Sequence, residues 1–576
     1  MAIPRSEHPQ PQMERNEWMN LNGEWEFEED PGCSGKERKI YERTLGQTIR
    51  VPFCPESELS GIGKKDFMDC VWYRKCVKAP EDWKGGRLLL HFGAVDYQAD
   101  VYINGSHVGT HRGGYSSFCM DVTDYWKRGE ENVIAVCAED HVRSGSQPRG
   151  KQSALFFSHE CDYTRTTGIW QTVWLEHVPK QYIRSVKYYP DAQNGQLVIQ
   201  AVLEGEGTLE AEAFYQGKPM GKGIVICRKN TASLTIPLKE KHLWDLGDGK
   251  LYDLILTFGT DEVKSYFGLR DIAICGMHFK LNGRIVFQRL VLDQGFYPDG
   301  IYTAPDEEAL IRDIQLSMDA GFNGARLHQK IFEPRFLYHC DRMGYLVWGE
   351  HASWGLDLSD AKALGIFLPE WVEAVERDFN HPAIVGWCPF NETWDYEGRK
   401  QMDIILETVY RVTKALDPTR PCIDTSGSFH VRTDIFDVHD YEQDPAVWRE
   451  RYDKFKDGVL VDRFQDRQTY RGEPSFVSEY GGIKWDVDQT IASWGYGNAP
   501  KTEEEYMARY EGLTTALMEN ERFLGFCYTQ LYDVEQEKNG IYTYDRNKKF
   551  DLTKIREVNQ RKAACEREEG TEDSIK

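Results

Sequence analysis

The stretch His381-Pro-Ala-Ile-Val-Gly-Trp-Cys-Pro-Phe-Asn-Glu-Thr-Trp394 constrains the fold most, because it is an apolar run that ends on a carboxylic acid. Between Ala383 and Phe390 only a glycine and a proline interrupt it, so both faces are buried, as in a parallel sheet covered by helices on both sides. The polar pair Asn391-Glu392 then follows at the C-terminal end of the strand. In a (β/α)8 barrel that is the end where the loops converge over a rigid core and where functional side chains gather. Pro474-Ser-Phe-Val-Ser-Glu479-Tyr-Gly-Gly482 has the same grammar, a short apolar strand closing on a carboxylate.

The chain around these two stretches divides into three regions. Residues 1–180 read as an all-β jelly-roll sandwich: Val71-Trp-Tyr-Arg-Lys-Cys-Val77, Arg87-Leu-Leu-Leu-His-Phe92, Ala99-Asp-Val-Tyr-Ile103 and Asn132-Val-Ile-Ala-Val-Cys137 have strand length and composition, and Asn104-Gly105 signals a hairpin. Trp170 and Trp174 alternate toward one face and read as core, whereas Arg165, just before that strand, is a candidate to point at the active site. Residues 181–275 carry regular short strands with turn signals between them, an immunoglobulin-like sandwich without a stapling cysteine pair. From 276 to 576 strands alternate with helical periodicity. Strand candidates fall at 284–292, 324–328, 345–349, 384–390, 421–424, 435–438, 475–478 and 523–531, with amphipathic segments such as 306–318 and 401–416 between them. Eight such units over this length match a TIM barrel, and the polar tail after about 550 reads as a final helix with a disordered end.

Composition narrows the partners. The 70 basic residues against 93 acidic ones give a net charge of −23, which disfavours nucleic acid and anionic membranes. The 16 tryptophans are a rich supply of flat faces on which sugars stack. The N-terminus has no apolar signal region and no window reaches the length of a membrane span, so a cytoplasmic address is expected. The 14 cysteines sit singly, many in apolar runs (Cys76, Cys119, Cys137, Cys388, Cys527), and are expected to be buried free thiols. No His/Cys/Asp cluster has metal-ligand spacing, so neither a metal nor another cofactor is expected. A homo-oligomer is left open.

The segment HPAIVGWCPFNETW resembles the acid/base signature of glycoside hydrolase family 2, and FVSEYGG resembles its nucleophile segment. The resemblance extends to the N-terminal region through Gly93-Ala-Val-Asp-Tyr97, Val101-Tyr-Ile-Asn-Gly105 and Gly168-Ile-Trp-Gln-Thr-Val-Trp-Leu-Glu176. It implies a carbohydrate or glycoconjugate substrate and barrel strands four and seven ending on the two glutamates. Retaining hydrolysis needs one carboxylic acid to protonate the leaving oxygen and a second, about 5 to 5.5 Å away, to attack the anomeric carbon. Glu392 would be the acid/base, with a pKa raised by desolvation and a neighbouring negative charge, and Glu479 the nucleophile. The resemblance adds Tyr441 as a hydrogen-bond donor to Glu479, and Asn391 would bond the sugar 2-hydroxyl. Further strand-end candidates are Asp293, Arg326, His328, Glu350, His351 and His439, with Lys484 and Trp485 after the nucleophile, and Trp348 and Trp354 as sugar platforms or core residues.

The chain departs from the family where loops meet the glycone. The run after strand one is Leu292-Asp-Gln-Gly-Phe-Tyr-Pro-Asp-Gly300, and Arg326-Leu-His-Gln329 sets the histidine of strand two one residue early. β-Glucuronidases of the family are similar in carrying an Asn-x-Lys clamp before a Gly-Ile-Phe-Thr-like segment. Here Gly540-Ile-Tyr-Thr543 is preceded by Glu537-Lys538-Asn539, while Asn547-Lys-Lys549 lies too far on. A missing cation at the clamp would exclude a uronate. The expected activity is therefore a neutral exo-β-glycosidase, β-galactoside first and arabinopyranoside or fucoside next. Lys538 or Arg326 is a route by which uronate binding would be rescued. The alternatives are a uronic-acid β-glycosidase and a non-catalytic carbohydrate-binding barrel, the last disfavoured by the presence of both glutamates.

Overall fold

The computed structural model describes residues 3–460, 462–488 and 493–567. A jelly-roll β-sandwich comes first. Its four-stranded antiparallel sheet (Trp18–Asn20, Val173–Val178, Arg87–Phe92, Phe118–Asp121) faces a six-stranded one (Gln47–Val51, Gly23–Glu29, Cys70–Val77, Asn132–Glu139, Gln98–Ile103, Ser106–Arg112). Asn104 and Gly105 both adopt positive φ, the backbone a two-residue hairpin needs, and pair Ile103 with Ser106. Trp174 is core and stacks on His91, and Trp170 is buried where the sandwich meets the barrel, against Tyr302. Strand alternation turns Cys76 and Cys119 outward, contrary to expectation, because a β-strand exposes every second residue of even an apolar run. No disulfide joins the cysteines among the described residues.

An immunoglobulin-like sandwich follows, with three strands (Tyr182–Asp191, Gln196–Glu204, Thr231–Pro237) packed on four (Lys218–Cys227, Gly207–Tyr215, Leu251–Phe258, Asp261–Gly268). The alternation that buries Leu197, Ile199 and Leu203 on one sheet and Leu209, Ala211 and Ala213 on the other makes its core.

The barrel strands are β1 (Gln288–Asp293), β2 (Gly324–Leu327), β3 (Leu346–Glu350), β4 (Ile384–Cys388), β5 (Thr425–Ser426), β6 (Phe436–Asp440), β7 (Ser475–Gly481) and β8 (Phe523–Thr529). Seven of them pair in parallel in the order β4-β3-β2-β1-β8-β7-β6. Pro389, which has no N–H to donate, interrupts β4; the chain resumes at Phe390–Asn391 and pairs with β5. Ser426 Oγ donates to Asp437 Oδ2 at 2.6 Å and closes the ring between β5 and β6. Two expected strands shift. The run at 284–292 splits, because Arg284–Ile285 joins a small antiparallel sheet with Ile272–Cys275 and His278–Leu281 beneath the barrel. The ladder of the fifth strand lies at 425–426, just past the expected 421–424. The helices at Glu307–Asp319 and Asp403–Leu416 form where the periodicity places them, the first capped by Asp306 accepting from Ala309 N. Helices at Leu552–Asn559 and Ala564–Arg567 complete the chain, and the expected disordered end, 568–576, lies outside the described residues. Among the described residues no helix is long and apolar enough to cross a membrane.

Below the site, the barrel is tied to its neighbours by buried polar contacts. Asp341 accepts from His381 Nδ1 at 2.6 Å, Ala383 N at 2.8 Å and Tyr266 OH at 2.8 Å, which pins the start of β4 to the immunoglobulin-like sandwich. The N-terminal segment crosses all three units: Arg5 pairs with Glu333 of the barrel at 2.6 Å, and Arg15 with Asp261 at 2.8 Å and Glu176 at 3.2 Å. Removing Arg15 leaves two buried carboxylates without their cation. Arg15→Met is expected to lose about 3–5 kcal/mol, read as a lowered Tm. Burial pushes the Glu176 carboxyl up, but Arg15 and His91 outweigh it and hold it at about 2, against an ordinary value of 4.5. A depressed carboxylate contributes stability above its unfolded pKa. The gap between wild type and variant should therefore be full above pH 4.5 and shrink as pH falls toward 2.

Candidate functional site

The barrel interior is layered. Trp348 donates to Gln288 Oε1 at 2.8 Å and stacks near Phe476, an inner floor that assigns Trp348 to the core. Two residues on, strand alternation turns Glu350 inward at the mouth. Arg326, 1% exposed, is the centre of this upper layer. Its Nε donates to Glu350 Oε1 at 2.6 Å, Nη1 to Glu479 Oε1 at 3.2 Å and to Ser478 O at 2.7 Å, and Nη2 to Asn391 Oδ1 at 3.1 Å. One rigid fork thus fixes three strand ends at once.

Glu479 faces this layer because of a bulge. Along β6 and β7, Val438 pairs with Val477 but His439 pairs with Glu479, so Ser478 is an extra residue that re-aims the side chain after it. Tyr441 OH donates to Glu479 Oε2 at 2.5 Å, as expected. Glu392 sits in left-handed backbone at φ 43, its N–H held by Ser426 O at 2.7 Å, a strained conformation of the kind that collects at functional sites. His439 joins the two glutamates: Nδ1 lies 2.6 Å from Glu392 Oε1 and Nε2 3.4 Å from Glu479 Oε1. One ligand atom from each of the three lies within 4.8 Å of the other two. Sequence spacing hides such a cluster, and three ligand atoms this close resemble a cation site. The Arg326 guanidinium on the same Glu479 oxygen, however, already supplies positive charge there.

The electrostatics correct one expectation. Burial pushes the Glu392 carboxyl up, but His439, and then Lys151 and Arg326, outweigh it and hold it below its usual range. His439 shifts the other way: burial pushes it down, and the charges of Glu479 and Glu392 more than reverse that. Burial drives His328 well below its ordinary value, so it is neutral beside Glu350 at 3.1 Å, and burial raises Glu350 itself.

Several expected site residues are used elsewhere. Asp293 is buried, accepts from Tyr532 OH at 2.5 Å and Gly295 N at 2.9 Å, and is pushed up to about 6 by that burial. His351 points away from the mouth, against Phe367 and Glu370 of the helix Lys362–Asp378. Lys484 donates to Ser493 O at 2.6 Å, and Trp485 packs on Tyr506 and Phe550. Arg165 does not reach the glutamates; it donates to the carbonyls of Ser153, Leu155 and Lys65 and lies over Phe67. Lys549 is spent on Asp533 at 2.5 Å, and Lys538 lines a separate cleft with Arg165 and Glu535. Trp354 lies at the mouth: its Nε1 donates to Asn391 O at 3.0 Å, and with Trp394 and Tyr396 it lines a cleft that opens from Glu392. The Nδ2 of Asn391 and the Nε2 of Gln329 are buried donors without a partner among the described residues.

The jelly roll supplies what sequence reading missed. Arg149 N and Gly150 N both donate to Trp354 O, at 2.7 and 3.2 Å, and seat a loop of the sandwich on the barrel mouth. That loop carries Lys151 over the Trp354 ring at 3.7 Å, and Tyr163 OH donates to Glu537. Tyr496 stacks on Tyr441 with ring centroids 3.4 Å apart. Only a patterned strand announces itself in sequence; a buried lysine on a loop leaves no such signal.

A sandwich seated on a barrel whose β4 and β7 end on adjacent carboxylates is the architecture of the barrel glycosidases, and the chain belongs to glycoside hydrolase family 2. Residues 18–179 match the family 2 sugar-binding domain and 302–562 its TIM barrel domain. The protein is thus a glycoside hydrolase that acts on carbohydrate. It is similar to a beta-glucuronidase of Rattus norvegicus (25% identical over 621 residues, 93% of this chain and 90% of that one). It is also similar to a beta-galactosidase of Thermoanaerobacter pseudethanolicus (28% over 418 residues, 66% of this chain), of which it spans about half, 52%. A solved β-glucuronidase from Ruminococcus gnavus in complex with D-glucuronic acid superimposes with a TM-score of 0.80 at 18% identity, covering 97% of this chain and all of that one.

Gly150 is a sensitive point of the site. Its φ is +56, and a Cβ there would lie 2.6 Å from Gln329 O. Gly150→Ala is expected to displace the loop and cost about 1–3 kcal/mol of local strain, read as a KM raised roughly tenfold or more with Tm changed by only a few degrees.

Proposed function

We propose that the protein is a retaining exo-β-glycosidase in which Glu392 is the acid/base and Glu479 the nucleophile, and that its glycone is a uronic acid. The observation that carries the mechanism is the approach of the two carboxylates, with oxygens within 4.8 Å across the mouth. That distance suits direct attack and leaves no room for an intervening water. Glu479 attacks the anomeric carbon while the glycosidic bond breaks, and Glu392 delivers a proton to the departing oxygen. His439 Nδ1, 2.6 Å from Glu392 Oε1, is placed to hand that proton to Glu392 before or during the step. Tyr441 and Arg326 hold Glu479 in line. A water then gives its proton to Glu392, attacks the same carbon and frees Glu479, returning the β-anomer. The cleft beside Glu392, with Trp354, Trp394 and Tyr396, is where the leaving group would lie.

The uronide choice departs from the neutral sugar expected from sequence. The rat relative, matched over nearly its whole length, is named a beta-glucuronidase, and this supports a uronide more than the half-length match to a beta-galactosidase supports a galactoside. A neutral β-galactoside remains the second reading, favoured by Glu537-Lys538-Asn539 in place of the clamp.

Glu479→Gln and Glu392→Ala are expected to lower kcat by at least ~10³-fold with the fold intact. Azide should restore the Glu392→Ala variant as a β-glycosyl azide on substrates with a good leaving group. Retention of more than a tenth of wild-type activity by Glu479→Gln, a loss under ~1.4 kcal/mol of barrier, would remove it from the nucleophile role. Proton NMR of early turnover should record the β-anomer first, and an α-anomer would contradict the mechanism.

A further inference from the structure

We propose that Lys151, carried into the barrel mouth by the N-terminal sandwich, is the residue that binds the carboxylate of the uronic-acid glycone. The assignment rests on the uronide reading and names the cation it requires. Lys151 is 5% exposed, yet its ammonium makes no hydrogen bond and no ion pair among the described residues; it lies over the Trp354 ring, at 3.7 Å. A buried ammonium is costly unless an anion meets it. Burial pulls its pKa down, but the charges of Cys161, Glu392, Glu479 and Glu537 more than reverse that, so the group stays protonated. All three of its N–H donors are therefore available beside the two proposed catalytic carboxylates.

The position is fixed. The backbone before Lys151 is bonded to Trp354 O, its own carbonyl accepts from Tyr163 N at 2.7 Å, and Gly150 allows the close approach to Gln329. Glu537, which replaces the asparagine of the family clamp, does not neutralise it. Both of its oxygens are taken, one by Tyr163 OH and the other by Asn539 Nδ2 at 2.8 Å. Burial also pushes Glu537 up to about 7, which weakens the negative charge it sets against a second carboxylate. Arg326 is the weaker alternative, since Glu350, Glu479, Ser478 and Asn391 take four of its five N–H donors. The positive charge missing from the clamp position is thus supplied by a different domain.

The test compares kcat/KM of wild type, Lys151→Met and Lys151→Arg on nitrophenyl β-glucuronide, β-galacturonide and β-galactoside. Wild type should prefer a uronide. In Lys151→Met the ratio of uronide to galactoside efficiency should fall by at least ~100-fold, the scale of truncating one partner of a buried charge pair. Lys151→Arg, which keeps the charge, should hold that ratio within ~10-fold of wild type. If both variants lose all substrates in parallel, or Lys151→Met keeps the wild-type ratio, Lys151 does not read the carboxylate although the uronide reading stands. If wild type turns over the galactoside and neither uronide, both fall together.

Discussion

Everything at the barrel mouth depends on how the Arg326 guanidinium is satisfied. A fully buried arginine cannot shed its charge, so its donors must each find an acceptor. Four of the five find one on β3, the end of β4 and β7, and in doing so they fix Glu350, Asn391 and Glu479 against one another. The positive charge also makes it tolerable to hold these carboxylates in a space from which water is largely excluded. Preorganisation of this kind, with the fork already bonded before substrate arrives, is what allows a site to stabilise developing charge without reorganising.

The second constraint is that the barrel does not build its site alone. The loop from Arg149 to Gln152 lies on Trp354, Tyr163 reaches Glu537, and the N-terminal segment ties sandwich, immunoglobulin-like unit and barrel together through Arg5 and Arg15. The domain that the family description calls sugar-binding here contributes side chains to the mouth of the barrel. A site shared across domains couples its geometry to how the domains pack.

What was legible in sequence was the part that repeats locally. Apolar runs of strand length revealed the barrel strands, helical periodicity placed the helices at Glu307–Asp319 and Asp403–Leu416, and the abrupt change to Asn391-Glu392 and to Glu479 marked two strand ends. Residues expected at the mouth from proximity in sequence fared less well. Asp293, His351, Lys484 and Trp485 each lie near a strand end, but neighbouring layers offered them stronger partners: Tyr532, the helix face at Phe367, Ser493 and the Tyr506–Phe550 cluster.

The sequence by itself determined that two glutamates would end buried parallel strands, since burial on both faces and the identity of the terminal residue are both written in a single short run. Tertiary structure alone decided which way those glutamates face and what charge surrounds them. The bulge at Ser478 arises from pairing with β6, the raised pKa of His439 from the approach of two carboxylates, and the placement of Lys151 from the docking of one domain on another. Strand identity follows from contacts within a few residues, whereas protonation and charge follow from distances between residues far apart in the chain, which only packing sets.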